Sequence, residues 1–172
     1  MISEKMQKAL NDQINAEFYS AYLYLSMAAY FESLNLGGLA NWMRVQTQEE
    51  LAHGMIIYNH VNERGGRVKL GAITAPPVEW QSPRNVFEEA YAHERKVTAL
   101  INKLVDLAIK ESDHATNAFL QWFVTEQVEE ELNTSTIANQ LKIAGDAANA
   151  LFMIDRELAA RVFTPPPQLQ AV

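Results

Sequence analysis

Four apolar stripes at helical spacing run through this chain, and each is broken near its middle by residue types that bind metals. The first stripe is Leu10, Gln13, Glu17, Ser20, Tyr24, Met27, Phe31 and Leu34. The second is Met43, Gln46, Glu50, His53, Ile57 and His60, and the third is Phe87, Ala90, Glu94, Val97, Ile101, Leu104 and Ala108. The fourth runs from Thr116 through Leu120, Phe123, Gln127, Glu130, Thr134, Ile137 and Leu141 to Ala144. A chain patterned in this way must pack one face of four long helices together. It must also bury Glu17, Glu50, His53, Glu94, Gln127 and Glu130 where core side chains belong.

Punctuation between the stripes sets the topology. Ser3 caps a first helix that runs to about Leu34, where Asn35, Gly37 and Gly38 end it. A second helix spans about Leu39 to Arg64 and stops at Gly65 and Gly66. Residues 65–82, with Gly71, Pro76 and Pro77, carry no helical period and read as a long connection. Ser82 and Pro83 open a third helix that lasts to about Glu111, and Asp113 caps a fourth that lasts to Lys142 or Ile143. A short fifth helix, about Ala147 to Arg161, precedes Pro165, Pro166 and Pro167, which are expected to rule out helix beyond them. Helices of this length are about 40 Å long at 1.5 Å per residue. The two short links make antiparallel hairpins. The long link can travel the length of the bundle and set the second and third helices parallel. The expected fold is all-α, a four-helix bundle with one long crossover and a short fifth C-terminal helix, the ferritin-like topology. Residues 1–165 read as one domain and 166–172 as a short tail.

Mid-helix positions share one height whichever way each helix points, so the polar interruptions converge. Glu50 and His53, at i and i+3, lie on one face of one helix, and Gln127 and Glu130 repeat that spacing. An uncompensated buried charge costs several kcal/mol. Four of them rival the whole stability of a domain, about 5–15 kcal/mol. No Lys or Arg falls on the stripes at that height; Arg44 and Arg95 lie off them. Either the groups share protons and water, or cations neutralise them. An oxygen-rich set with one imidazole and no thiolate suits iron or manganese better than structural zinc.

Composition narrows the class. There is no Cys, so disulfides and thiolate metal sites are excluded, and a reducing cytoplasm is the expected setting. The segment Met1 to Gln13 has no apolar core of a signal peptide, and no apolar run approaches a membrane span. A net charge of −7 argues against nucleic acid as a partner.

With these pieces in order, Glu17 in N-A-E-F-Y-S-A-Y-L-Y, Glu50 and His53 in Q-E-E-L-A-H, Glu94 in A-H-E-R, and Gln127 with Glu130 in E-Q-V-E-E-E, the chain resembles the ferritins. It is most similar to the bacterial haem-free ones, and the resemblance covers the chain through the fifth helix. The resemblance implies a di-iron ferroxidase centre. Glu17, Glu50 and His53 would hold one iron; Glu50, Glu94 and Glu130 would hold the second, with Glu50 bridging. It further implies that Gln127 hydrogen-bonds beside the dioxygen site and that Tyr24 can supply an electron. Glu49, Glu126 and Glu129, with Glu130, would form a third iron site at the bundle flank. The implied activity is oxidation of Fe(II) by O2 or H2O2, with Fe(III) stored as ferric oxyhydroxide in a hollow homo-oligomer of 24 subunits. The fifth helix would line its fourfold channels.

Departures from neighbouring families sharpen this. Bacterioferritins carry a second Glu-x-x-His where this chain has Gln127-x-x-Glu130, and a haem-ligating Met where it has Leu51, so no haem is expected. A non-catalytic cage would lack several of the centre residues. A dimeric di-metal oxygenase would be far smaller than a shell. His60 is expected to be structural, His93 and His114 to lie on the surface, and Glu131 to be a solvated face residue. Glu111, Asp113 and His114 read as helix capping, with an iron-access channel as the alternative.

Overall fold

A computed structural model describes residues 1–170. Helix α1 spans Glu4–Ser33, α2 Gly37–Glu63, α3 Pro83–Lys110, α4 His114–Ala144, α5 Ala148–Leu158 and α6 Pro167–Gln170. Three starts follow from the cap residues. Ser3 Oγ accepts from the Met6 amide at 3.0 Å, Ser82 Oγ from the Asn85 amide at 3.1 Å, and Asp113 Oδ1 from the Thr116 amide at 3.1 Å. Asp113 also pairs with Arg64 at 3.0 Å, so it caps and clamps at once.

Helix α2 begins at Gly37, two residues before the expected start, because its cap comes from elsewhere in the chain. Asp155 Oδ1, on α5, accepts from the amides of Gly38 and Leu39 at 2.8 and 2.9 Å. A Cβ on Gly38 would lie 1.6 Å from the Asp155 carbonyl oxygen, so only glycine admits this approach. Helix α5 ends at Leu158, short of the expected Arg161. The three prolines do not end all helix: Pro167 opens the one-turn α6, at the position where a missing N–H costs nothing. Of the expected tail, Ala171 and Val172 lie outside the described residues.

The crossover follows α1. Asn11 binds the backbone at Arg67 and Lys69, Asn15 donates to the Ala72 carbonyl, Ser26 to that of Pro77, and Tyr30 to that of Trp80. Partners from Asn11 to Tyr30 carry the connection from one end of the bundle to the other. Helices α2 and α3 therefore run parallel, the ferritin-like topology.

The core divides into two apolar layers. One contains Phe31, Leu39, Trp42, Met43, Phe87 and Leu141. The other contains Met6, Leu10, Ile57, Ile101, Leu104 and Phe123. Between them lies a buried polar waist of Gln13, Glu17, Gln46, Glu50, His53, Glu94, Gln127 and Glu130. Among the described residues no helix is long and apolar enough to cross a membrane.

Candidate metal centre

Each long helix contributes to the waist because its heptad face turns inward there. Glu17 is 1% exposed, Glu50 2%, His53 2%, Glu94 1% and Glu130 3%. Ligand atoms of Glu17, Glu50 and His53 lie within 4.8 Å of one another, and so do those of His53, Glu126 and Glu130. Glu50 and His53 join through Nδ1 at 3.6 Å, and His53 Nε2 lies 3.8 Å from Glu126.

Glu94 lies in the same waist but faces its own partners. Its Oε1 accepts from the Tyr24 hydroxyl, and its Oε2 accepts from Gln127 Nε2 at 3.2 Å. Gln127 also donates towards the Glu94 carbonyl and Thr98 Oγ1, each at 3.3 Å. Tyr24 and Gln127 thus both bond to Glu94, one carboxylate of the waist.

Electrostatics follow from burial. Glu17 is pushed up to about 8 by burial and by the charge of Glu50. Glu94 is pushed up to about 8 by burial and Glu50, while Glu130 is raised well above the carboxylate range by burial and the charges of Glu94 and Glu50. Burial also pushes Glu50 upward, but the adjacent imidazolium of His53 outweighs it and holds Glu50 below its usual value. Burial acts against the charged His53, yet the nearby carboxylates of Glu126 and Glu50 raise it well above the ordinary imidazole value. Tyr24 is raised by burial and by the neighbouring carboxylates, Glu94 first. Burial and mutual repulsion thus favour the protonated forms of Glu17, Glu94 and Glu130, while Glu50 and His53 favour the charged pair.

Among the described residues, two buried side-chain atoms have no hydrogen-bond partner: Glu17 Oε2 and His53 Nε2. An orphaned buried polar atom costs about 1–3 kcal/mol, so such atoms need a reason. Both belong to residues with metal-ligand chemistry, and both fit a divalent cation that takes the place of the protons.

Several residues act here that the stripes did not single out. Gln13 Nε2 donates to Glu17 Oε1 at 2.8 Å, and Gln46 Nε2 donates to Glu50 Oε1 at 3.2 Å and Glu130 Oε2 at 2.6 Å. The signal was present: each Gln lies four residues before a stripe Glu, so amide and carboxylate meet one turn apart. Trp122 packs edge-on against His53 at 5.5 Å. Arg161, past α5, reaches this flank, and its Nη2 lies 2.5 Å from Glu49.

Some surface assignments change. His93 is half-buried: its Nε2 lies 2.8 Å from Ser20 Oγ, and its ring packs against Tyr19 and Tyr24. It points into the groove between α1 and α3 rather than away from it. Glu131 is half-buried and accepts from Thr98 Oγ1 at 2.6 Å, so it is not a plain solvated residue. Glu129 is exposed and Glu49 is paired, so of the four flank carboxylates only Glu126 and Glu130 fall in one ligand group. His60 behaves as expected: it is buried, stacked on Phe119 at 3.8 Å, with Nε2 3.2 Å from Thr116 Oγ1. His114 is exposed.

Residues 7–144 match the ferritin-like domain family. The chain belongs to the ferritin family. A bacterial non-heme ferritin of Bacteroides fragilis is 47% identical over 161 residues, covering 94% of this chain and all of that one. Its counterpart in Staphylococcus aureus is 40% identical, covering 95% and 98%. Among solved structures, an open pore ferritin from the hyperthermophilic archaeon Archaeoglobus fulgidus is 56% identical with a TM-score of 0.93, covering 94% of this chain and all of that one. An engineered closed form of the Archaeoglobus fulgidus ferritin gives 57% and 0.94, covering 95% and 100%. Ferritin membership and the waist together support iron storage and a carboxylate–histidine iron site.

Proposed function

We propose that this ferritin oxidises Fe(II) at a dinuclear centre within each bundle and stores the product as ferric oxyhydroxide inside a shell of 24 copies in the cytoplasm. One observation carries the reading. Buried carboxylates from four helices meet one imidazole, and two of their ligand atoms are otherwise unpartnered. Glu17, Glu50 and His53 bind one iron. Glu50, Glu94 and Glu130 bind the other, and Glu126 stands close enough to His53 and Glu130 to assist. Iron is substrate here. Each of two Fe(II) ions gives up one electron, and the pair reduces O2 to H2O2 with two protons; H2O2 is the alternative oxidant. Hydrolysis of Fe(III) to the oxyhydroxide then releases protons.

The residues supply placement and charge. Fe(II) binding expels the protons of Glu17, Glu94 and Glu130 and that of His53, converting a protonated waist into an anionic ligand set. Gln127 and Tyr24 hold Glu94 from two sides. Tyr24 is buried, with its hydroxyl donating to Glu94 Oε1. Exposed Tyr22, Leu25, Leu51 and Ile73 along α1, α2 and the crossover supply an apolar face for assembly.

The test is aerobic addition of Fe(II) with ferric absorbance as readout. Wild type should oxidise iron rapidly and retain it. A Glu50→Ala/His53→Ala variant should slow by about tenfold or more, since it removes a bridging and a terminal ligand. Oxidation at the wild-type rate would sink the assigned centre. Size-exclusion chromatography separates the shell from a dimeric di-metal oxygenase.

A further inference from the structure

The waist is ringed by groups of its own four helices, with one exception. Arg161, three residues past the end of α5, reaches α2 from outside the bundle. Its Nη2 lies 2.5 Å from Glu49 Oε2, and its Nη1 donates to Gln46 Oε1 at 2.9 Å and to the Trp42 carbonyl at 3.4 Å. The guanidinium carbon stands 4.4 Å from the Trp42 ring centroid. Asn41 Nδ2 in turn donates to the Arg161 carbonyl at 2.9 Å. Both partners of the Glu49 pair are 20% exposed. This is an anchored guanidinium, unlike a solvated surface arginine.

We propose that Arg161 is a built-in counter-cation that withholds Glu49 from iron and so limits each bundle to the two ions of its dinuclear centre. The proposal rests on the reading that Glu50, His53 and Glu130 hold iron. Glu49 adjoins Glu50 in sequence and feels the charges of both Glu50 and Glu126. Carboxylates gathered at this flank would draw a further cation. The guanidinium already supplies that charge, and an incoming ion must displace it along with its hydrogen bonds.

Arg161 also acts through Gln46. A guanidinium has only donors, so the Gln46 atom facing it is the carbonyl oxygen. The amide nitrogen must then face the waist, where it donates to Glu50 and Glu130. Arg161 therefore fixes the orientation of an amide that bridges carboxylates of α2 and α4. A third ion that displaces Arg161 frees Gln46 too, so filling the flank disturbs the centre.

The experiment is anaerobic titration of the metal-free assembly with Co(II), counting bound ions by visible absorption. Wild type should saturate at two ions per subunit. Arg161→Gln should saturate at three, holding the third ion at least about tenfold more tightly than any weak excess binding to wild type, roughly 1.4 kcal/mol. Adding Glu49→Gln to that variant should abolish the third ion. Arg161→Met, which keeps an unbranched stem against Trp42, should gain the third ion as well and serves if Arg161→Gln does not assemble. Arg161→Lys, which keeps the charge, should stay at two. Charge-free variants that still saturate at two, or a lysine variant that gains the third, overturn the proposal. The centre itself is judged separately: Glu50→Ala/His53→Ala retaining both Co(II) ions would overturn the centre and this inference with it, whatever Arg161 does.

Discussion

In the layer around Phe87 the four helices meet through rings and branched chains, with Phe31 and Trp42 centroids 5.9 and 5.1 Å from Phe87. A few turns away, around Glu50, the same helices meet through carboxylates. Both layers are equally dry: Phe87 is 0% exposed and Glu50 2%. What separates them is the sign of burial. Removing apolar surface from water stabilises the fold at about 25 cal/mol per Å², whereas removing a carboxylate penalises its charged form. The apolar layers hold the bundle together, and the waist uses part of that stability to keep carboxylates buried.

The largest effect that tests this contrast comes from the apolar side. Phe87→Ala should destabilise the chain by about 3–5 kcal/mol, because the ring is fully buried and its neighbours on three helices cannot collapse around the void. Chemical denaturation of the metal-free protein measures it. A loss below about 1 kcal/mol would mean that this layer does not carry the stability assigned to it.

The waist should respond in the opposite direction. Glu94 carries a folded-state value of about 8 against an ordinary 4.5, raised by burial and Glu50. A raised value means that its contribution is fully present below pH 4.5 and is lost as pH rises through about 8, because the unfolded state releases the proton first. Metal-free wild type should therefore lose stability across that window. Glu94→Gln, which has no proton to lose, should be more stable than wild type at pH 8 by roughly 2–3 kcal/mol. The gap should close towards pH 4.5. A variant less stable than wild type at pH 8 would show that the waist is not strained by its charges. Iron uptake should weaken in the same variant, which separates the two roles of one side chain.

How far the sequence foretold this molecule depends on the range of the contacts involved. Helix faces, caps at Ser3, Ser82 and Asp113, and the crossover were legible because each is written within a few residues. Glu17, Glu50, His53, Glu94 and Glu130 were legible because one period places them at one height. Arg161 was not, since nothing local ties residue 161 to residue 49. The same holds for Asp155, which caps α2 from more than a hundred residues away, and for His93, whose partner Ser20 lies on another helix. The roles of Gln13 and Gln46 were written at short range but became clear only with the carboxylates they serve in place.

The smallest expected effect returns to an apolar layer and the one imidazole within it. His60 is stacked on Phe119 and bonded to Thr116, and burial and Arg64 lower its value from 6.5 to about 4. Its contribution has the opposite pH sense to that of Glu94. A depressed histidine stabilises the fold above pH 6.5 and loses that contribution as pH falls towards 4, because the unfolded chain takes up the proton first. Between pH 6.5 and 4.5 wild type should lose about 1–2 kcal/mol that His60→Gln does not lose. Asp113 faces the ring with an attractive charge and Arg64 with a repulsive one, so Arg64→Gln should shrink the loss by lifting the depressed value. If the two proteins trace the same pH curve, His60 titrates normally in the folded state. The apolar layer would then be wetter at that end than its burial implies, and its contrast with the waist would narrow to the four carboxylates alone.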